Sequence, residues 1–343
     1  MVIKNTGFKQ IYEAYHYDTF NVFHWKNLRF TSAEPNKNFV KTQYIIHNPK
    51  KFNAFIFGSS RVGNIPKTNL PSNLDGKKLS WYNMTYSEGI PREHFETIKT
   101  FLRHNVHIDM LLIGFDNISM YASFEEHKRQ LLRMPYQIYE KNKYDFYKPY
   151  LETKVDESIK KQVNRIENTE ANEQNKLWFY NYGTFSHVED TVSLTQNPDM
   201  TRFKSNHLKM EYTQKDAYKD IEKISHFCKE NGIELILFTN PIFASTFKDA
   251  VEHGYLDFLK SVAKSCEFYN FSTLNNYTKN PAYYFESSHY RPALGLLIEK
   301  MLFGTEEERT QIRKDAGDEL WGIKVNAENI DFVIQKLQEQ IEN

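Results

Sequence analysis

Three apolar runs of strand length, spaced by segments of helical periodicity, constrain this chain more than any other feature. Phe52-Asn53-Ala54-Phe55-Ile56-Phe57 stops at Gly58, and Ile108-Asp109-Met110-Leu111-Leu112-Ile113 and Ile233-Glu234-Leu235-Ile236-Leu237-Phe238 follow further on. Short runs with so little polar alternation suit strands buried on both faces, as in a parallel sheet. A helix pattern from about Glu93 to His104 precedes the second run. Another, from about Lys215 to Glu230, precedes the third, with Asn231-Gly232 as its C-cap. A weaker strand is expected over Glu267 to Phe271, after a helix from about Ala244 to Lys264. A last core helix is expected from Pro292 to Leu302, where Pro292 in the first turn removes no intrahelical N–H.

Helices alternating with such strands pair them in parallel through right-handed crossovers. The expected fold is α/β: a three-layer αβα domain around a central, mostly parallel sheet, with a helical insertion and a C-terminal helical tail. The expected boundaries are 1–51 for an aromatic, polar N-terminal extension, 52–303 for the α/β domain, and 304–343 for the tail. The insertion, at about 121–211, interrupts the alternation. Its first part is aromatic (Tyr136, Tyr139, Tyr144, Phe146, Tyr147, Tyr150). From Lys154 to Lys176 the only large apolar residues before its aromatic end are Val155, Ile159, Val163 and Ile166, whose spacing predicts one amphipathic helix. In the tail, Ile330, Val333, Ile334, Leu337 and Ile341 recur at helical spacing and are expected to dock on the core.

The 44 basic residues balance the 44 acidic ones, so no global field points to nucleic acid or an anionic membrane. Cys228 and Cys266 cannot make a disulfide framework and read as small buried hydrophobes. Neither sits in metal-ligand spacing, and no metal is expected. Runs such as Met110 to Phe115 fall far below the roughly 20 residues of a membrane span. Phe8 to Phe23 mixes aromatics with charged residues and carries no signal-peptide pattern. The chain is expected to be soluble as given, and extracytoplasmic if an upstream anchor has been removed.

In an open α/β sheet, ligands bind beyond the carboxyl ends of the strands. That rule selects Gly58 to Arg61, Gly114 to Asn117, and Asn240-Pro241. In Phe57-Gly58-Ser59-Ser60-Arg61 a glycine allows a tight turn and a hydroxyl just beyond it can stand at the sheet rim. The same serines could instead cap the following helix. In Glu286-Ser287-Ser288-His289 a carboxylate three residues before a histidine could orient and charge-stabilise the imidazole, which could then take a proton from a serine. A helix-capping arrangement with a surface histidine is the alternative. Arg61 could pair with an anionic substrate group or with a carboxylate inside the fold. Tyr290 and Arg291 could line a pocket, and the cluster from Trp178 to Tyr182 could stack on sugars or simply pack.

Together these blocks resemble the SGNH/GDSL-hydrolase superfamily, with its flavodoxin-like sheet. Within it they are most similar to the polysaccharide-modifying branch of teichoic-acid D-alanylation and alginate O-acetylation proteins. Gly58-Ser59-Ser60 matches the nucleophile turn, which implies Ser60 as nucleophile. Glu286-Ser287-Ser288-His289 matches the final Asp-x-x-His block, which implies His289 as base and Glu286 as its partner. Asn83 to Gly89 resembles the second block, which implies the Gly89 N–H as an oxyanion donor. Gly114-Phe115-Asp116-Asn117 lies where the family has Gly-x-Asn-Asp, so the donor position holds Asp116. An ionised carboxylate cannot donate. Either Asn117 substitutes, or Asp116 has another job, or the hole is incomplete; one missing donor costs roughly 2.7–4 kcal/mol of transition-state stabilisation.

The resemblance implies a serine esterase or O-acyltransferase with no metal or organic cofactor. Its partner would be a small acyl ester or an acylated carbohydrate. The alternative is a catalytically inactive relative that binds glycan or serves assembly. A nucleotide-binding α/β protein fits less well, because Gly58-Ser59-Ser60-Arg61 lacks the P-loop Lys-Ser/Thr and its spaced glycines.

Overall fold

The apolar runs do become strands, buried throughout Ala54–Phe57 and Met110–Phe115 and half-buried at Glu234, Leu235 and Ile236, and their register brings their carboxyl ends to one rim. The structure, a computed structural model, describes residues 5–29, 34–66, 69–166, 170–184, 194, 197–204 and 217–342. Its strands are β1 (Ala54–Phe57), β2 (Asn73–Leu74), β3 (Lys77–Lys78), β4 (Trp81–Asn83), β5 (Met110–Phe115), β6 (Glu234–Thr239), β7 (Phe268–Asn270) and β8 (Ile323–Val325). Six of them form one sheet in the order β4-β1-β5-β6-β7-β8, while β2 and β3 make a separate hairpin. The first five are parallel and β8 runs antiparallel to β7. Helices flank this sheet in a three-layer α/β arrangement.

The described chain groups into two compact units. The larger comprises the described residues of Asn53–Phe95, Ile108–Ala122 and Val188–Asn343 and holds the sheet. Strand side chains alternate between faces. Ala54, Ile56, Met110, Leu112, Ile236 and Phe238 share one face with Leu294, Ile298, Met301 and Leu302 of the helix Pro292–Phe303. On the other, Phe115 meets Phe258 and Phe268 edge to face, with ring centroids 6.1 and 5.3 Å apart. Phe57 pairs with Ile113 and Phe115 with Thr239, so the turns at Gly58, Asp116 and Asn240 leave the sheet at the same end.

Several boundaries differ from expectation for physical reasons. β5 begins two residues late and runs on to Phe115, because Gly114 and Phe115 still pair with Phe238 and Thr239. The helix expected from Ala244 to Lys264 is two, Ala244–Glu252 and Tyr255–Ala263, separated at Gly254, whose φ of 93° no helix continues through. The tail is not purely helical. Between Glu306–Ala316 and Ile330–Glu342 it contributes β8, and Ile330, Val333 and Leu337 are buried.

The second unit comprises the described residues of Met1–Phe52, Glu96–His107 and Ser123–His187. Residues expected as an N-terminal extension and as an insertion thus share one core. Phe39 and Phe146 stack at 4.9 Å, with Tyr136, Tyr150 and Phe179 around them. Asn36 caps the helix Lys37–His47 through Phe39 N–H, and its amide donates to the Leu131 and Met134 carbonyls and the Tyr150 hydroxyl. The amphipathic helix expected from Lys154 to Lys176 corresponds to Glu157–Ile166 and the start of Glu170–Tyr182. The intervening 167–169, like 205–211 at the end of the expected insertion, lie outside the described residues.

Phe146 is fully buried among the rings of Phe39, Tyr136, Tyr139, Tyr147 and Tyr150. Phe146→Ala is expected to cost about 3–5 kcal/mol through lost burial and the cavity left behind, read as a lower urea midpoint.

Candidate active site

β1 delivers the first element of the site. Past Phe57 the chain must reverse within a residue or two, and Gly58 permits this at φ 150°. A Cβ there would lie 2.4 Å from Val62 Cγ2 and 2.9 Å from the Gly114 carbonyl oxygen, so no larger residue fits the turn. Ser59 turns inward and donates to Asp116 Oδ2 at 3.1 Å. Ser60, partly exposed, points the other way.

The second element arrives from 229 residues downstream. Tyr284 and Tyr290 form an antiparallel bridge, and Phe285 N–H donates to the His289 carbonyl at 2.9 Å, making a tight hairpin. At its tip Glu286 accepts from the backbone N–H groups of Ser288 and His289, both at 2.8 Å. The same carboxylate oxygen that takes the His289 N–H also bonds the ring Nδ1 of His289. With Nδ1 donating to Glu286, Nε2 is left to accept, and it lies 2.8 Å from Ser60 Oγ. The side chains of His289 and Glu286 are 37% and 21% exposed, so this relay faces solvent. Burial pushes the Glu286 carboxyl upward, but its bonds to the His289 ring and the two N–H groups outweigh that and leave it below its ordinary pKa.

These contacts dispose of the capping alternatives. The short 3-10 helix Val62–Asn64 begins at Arg61 with no side-chain cap bond, so neither Ser59 nor Ser60 caps it. The helix Pro292–Phe303 begins at Arg291, again with no side-chain cap, so Glu286 and His289 serve each other instead.

Beneath the relay lies a buried polar node. Arg61 and Asp116, 1% and 0% exposed, pair at 3.0 Å through Nη1 and Oδ2. Burial alone would push the guanidinium pKa down, yet the Asp116 charge, with smaller contributions from Tyr121, a hydrogen bond to Asp116 and Glu286, raises it. Arg61 Nη1 also donates to Asn117 Oδ1 at 2.7 Å, and Nε to the Ser288 carbonyl at 2.8 Å. Asp116 Oδ2 further accepts from Asn240 Nδ2 at 2.9 Å, while Oδ1 caps the helix Asn117–Tyr121 through Ile118 N–H.

The four residues named for the oxyanion and substrate lie about the serine turn and are each engaged within the fold. Arg61 is spent on the protein and cannot meet an anionic substrate group. Asp116 has another job, as ion-pair partner and helix cap. Asn117 keeps an amide nitrogen without an acceptor, but that nitrogen is shut off from solvent. Gly89 does pack on the serine turn, where a Cβ would sit 2.5 Å from the Gly58 carbonyl oxygen, yet its N–H already donates to the Tyr86 carbonyl at 3.2 Å. The Ser60 N–H, by contrast, has no acceptor among the described residues.

The sequence singles out Asn240 only as a strand-end position and gives Ser288, between Glu286 and His289, no role of its own. Tyr290 is fully buried and donates to Asn240 Oδ1 at 3.3 Å, so it lines no pocket. Arg291 lies 4.4 Å over the Phe285 ring. In the other unit, Trp178 and Tyr182 pair at 4.7 Å while Phe179 is buried. Both cysteines are buried, and burial pushes Cys228 up to about 12. Among the described residues no His, Cys, Asp and Glu cluster could hold a metal, and no helix is long and apolar enough to cross a membrane.

Two stability effects follow from the groups behind the serine turn. Asp116→Ala strands a buried guanidinium and is expected to cost about 3–5 kcal/mol in urea unfolding. His94 packs on Phe57 at 5.3 Å, and burial lowers its pKa from 6.5 to about 3. The unfolded chain then binds more protons than the folded one between those values. Stability is expected to fall as pH drops below 6.5 toward 3, and His94→Phe to remove part of that slope. Urea midpoints at pH 7 and pH 5 make the comparison.

No protein-family model matches the chain, and no curated protein sequence matches it significantly.

Proposed function

We propose that this protein is a serine esterase or O-acyltransferase of the SGNH/GDSL kind, with Ser60, His289 and Glu286 as its catalytic residues. The observation that carries the reading is the continuous hydrogen-bonded relay from Ser60 Oγ through the His289 ring to Glu286, open to solvent at the sheet rim. Ser60 Oγ attacks the ester carbonyl carbon as His289 Nε2 takes its proton. Glu286 holds the ring and stabilises the imidazolium. When the tetrahedral intermediate collapses, the C–O bond to the leaving alcohol breaks and His289 returns the proton to that oxygen. Water or a sugar hydroxyl, deprotonated by His289, then attacks the acyl–Ser60 ester, the acyl bond to Ser60 Oγ breaks, and His289 returns the proton to that oxygen. The Ser60 N–H is the donor available to the oxyanion.

The resemblance in the serine and histidine blocks favours a small acyl group on a cell-surface carbohydrate, and with it an extracytoplasmic setting. No cofactor enters the mechanism. A second reading, an idle relative that binds glycan or serves assembly, is favoured by one observation. Asp116 and Asn117, at the family's side-chain donor position, are both sealed from solvent.

A fluorophosphonate probe separates the two, since an activated serine is phosphonylated and an idle one is not. The wild type is expected to label and Ser60→Ala to remain unlabelled; an unlabelled wild type would select the second reading. With p-nitrophenyl acetate, Ser60→Ala and His289→Ala are each expected to lower kcat at least ~10³-fold, and Glu286→Gln by less than either.

A further inference from the structure

We infer that Arg61 is a positioning residue: paired with Asp116 under the relay, it holds both chain neighbours of His289 and so sets the ring against Ser60. The inference rests on the serine-nucleophile reading for its catalytic meaning, while its geometry stands independently.

Ser288, just before the histidine, is held directly. Arg61 Nε donates to the Ser288 carbonyl at 2.8 Å, and Nη2 donates to its Oγ at 2.9 Å. Tyr290, just after it, is held through the other half of the ion pair. Its hydroxyl donates to Asn240 Oδ1 at 3.3 Å, and Asn240 Nδ2 donates to Asp116 at 2.9 Å. Among the described residues the partly exposed His289 ring hydrogen-bonds only Glu286 and Ser60. The anchoring of Ser288 and Tyr290 therefore bears directly on where the ring sits.

Arg61 is also the residue after Ser60. One side chain thus ties the turn that carries the hydroxyl to the loop that carries the imidazole. No registration error accumulates through the sheet between them. A guanidinium suits this task because its planar fork reaches Ser288, Asn117 and Asp116 in fixed directions at once. A lysine ammonium could keep the charge opposite Asp116 but not the fork. Ser287, one step back in the loop, is anchored separately by Thr246 Oγ1, which donates to its carbonyl at 2.8 Å, and by the Arg202 carbonyl. Altering Arg61 should therefore shift the histidine without releasing the loop.

The test compares wild type, Arg61→Lys and the double variant Ser288→Ala/Tyr290→Phe, the last leaving the ion pair intact in case Arg61→Lys does not fold. The first readout needs no activity: the downfield ring N–H resonance of His289 in ¹⁵N-histidine-labelled protein, assigned by its loss in His289→Gln. The second is the rate of Ser60 labelling by a fluorophosphonate, beside KM for p-nitrophenyl acetate and the thermal midpoint. Expected for folded Arg61→Lys are a lost or shifted resonance, labelling about 10²-fold slower and KM nearly unchanged. The double variant should label about tenfold more slowly at an unaltered thermal midpoint. Wild-type resonance and labelling in either folded variant would overturn the inference, as would absence of the resonance from the wild type. A wild type that shows the resonance but does not label overturns the esterase reading alone, and the resonance still decides the role of Arg61.

Discussion

A guanidinium and a carboxylate withdrawn from water each lose several kcal/mol of hydration, and mutual attraction restores this only when other hydrogen bonds serve the remaining lone pairs and protons. Arg61 and Asp116 meet that condition through Ser288, Asn117, Ser59, Asn240 and the Ile118 N–H. The demand of a buried charge for fixed partners thereby becomes a geometric constraint. Three strand ends and the histidine hairpin must converge on the pair, and the relay sits on top of that convergence. The pair need not add net stability to have this effect, because its partners lose their satisfied geometry in any other arrangement.

Much of the α/β core could be read from residue order, since strands buried on both faces leave unbroken apolar runs such as Met110 to Ile113. Edge strands leave weaker marks. β4 is Trp-Tyr-Asn and β8 is Ile-Lys-Val, three residues each, and only pairing with β1 and β7 makes them strands. The break at Gly254 was visible as a glycine, but its surroundings kept helical periodicity on either side. The shared aromatic core of the smaller unit was not legible, because Phe39 and Phe146 stand more than a hundred positions apart and no local pattern links them.

The candidate site divides in the same way. Ser60, Glu286 and His289 could be singled out because a proton relay calls for those residue types, and the spacing of Glu286 and His289 is local. Ser288 could not, and Asn240 and Tyr290 stood out only as rim or pocket-lining candidates, because what the three contribute is a carbonyl, an amide and a hydroxyl at defined points in space, which many residues could supply. For Asp116 the residue order left several roles open, and its ion pair with Arg61 fixes it as an acceptor facing inward. A sequence shows that a charge is present at a rim; only the fold shows which way it turns.

β8 has a consequence for how the molecule comes into being. It is the last strand among the described residues and lies at the border of the sheet beside β7, so the polar backbone of Phe268–Asn270 stays unsheltered until residues 323–325 dock. Unsheltered strand borders recruit other chains. During synthesis His289 thus leaves the ribosome before the sheet that supports it is closed. A polypeptide halted between these points would carry the whole relay and still present an adhesive flank to its neighbours.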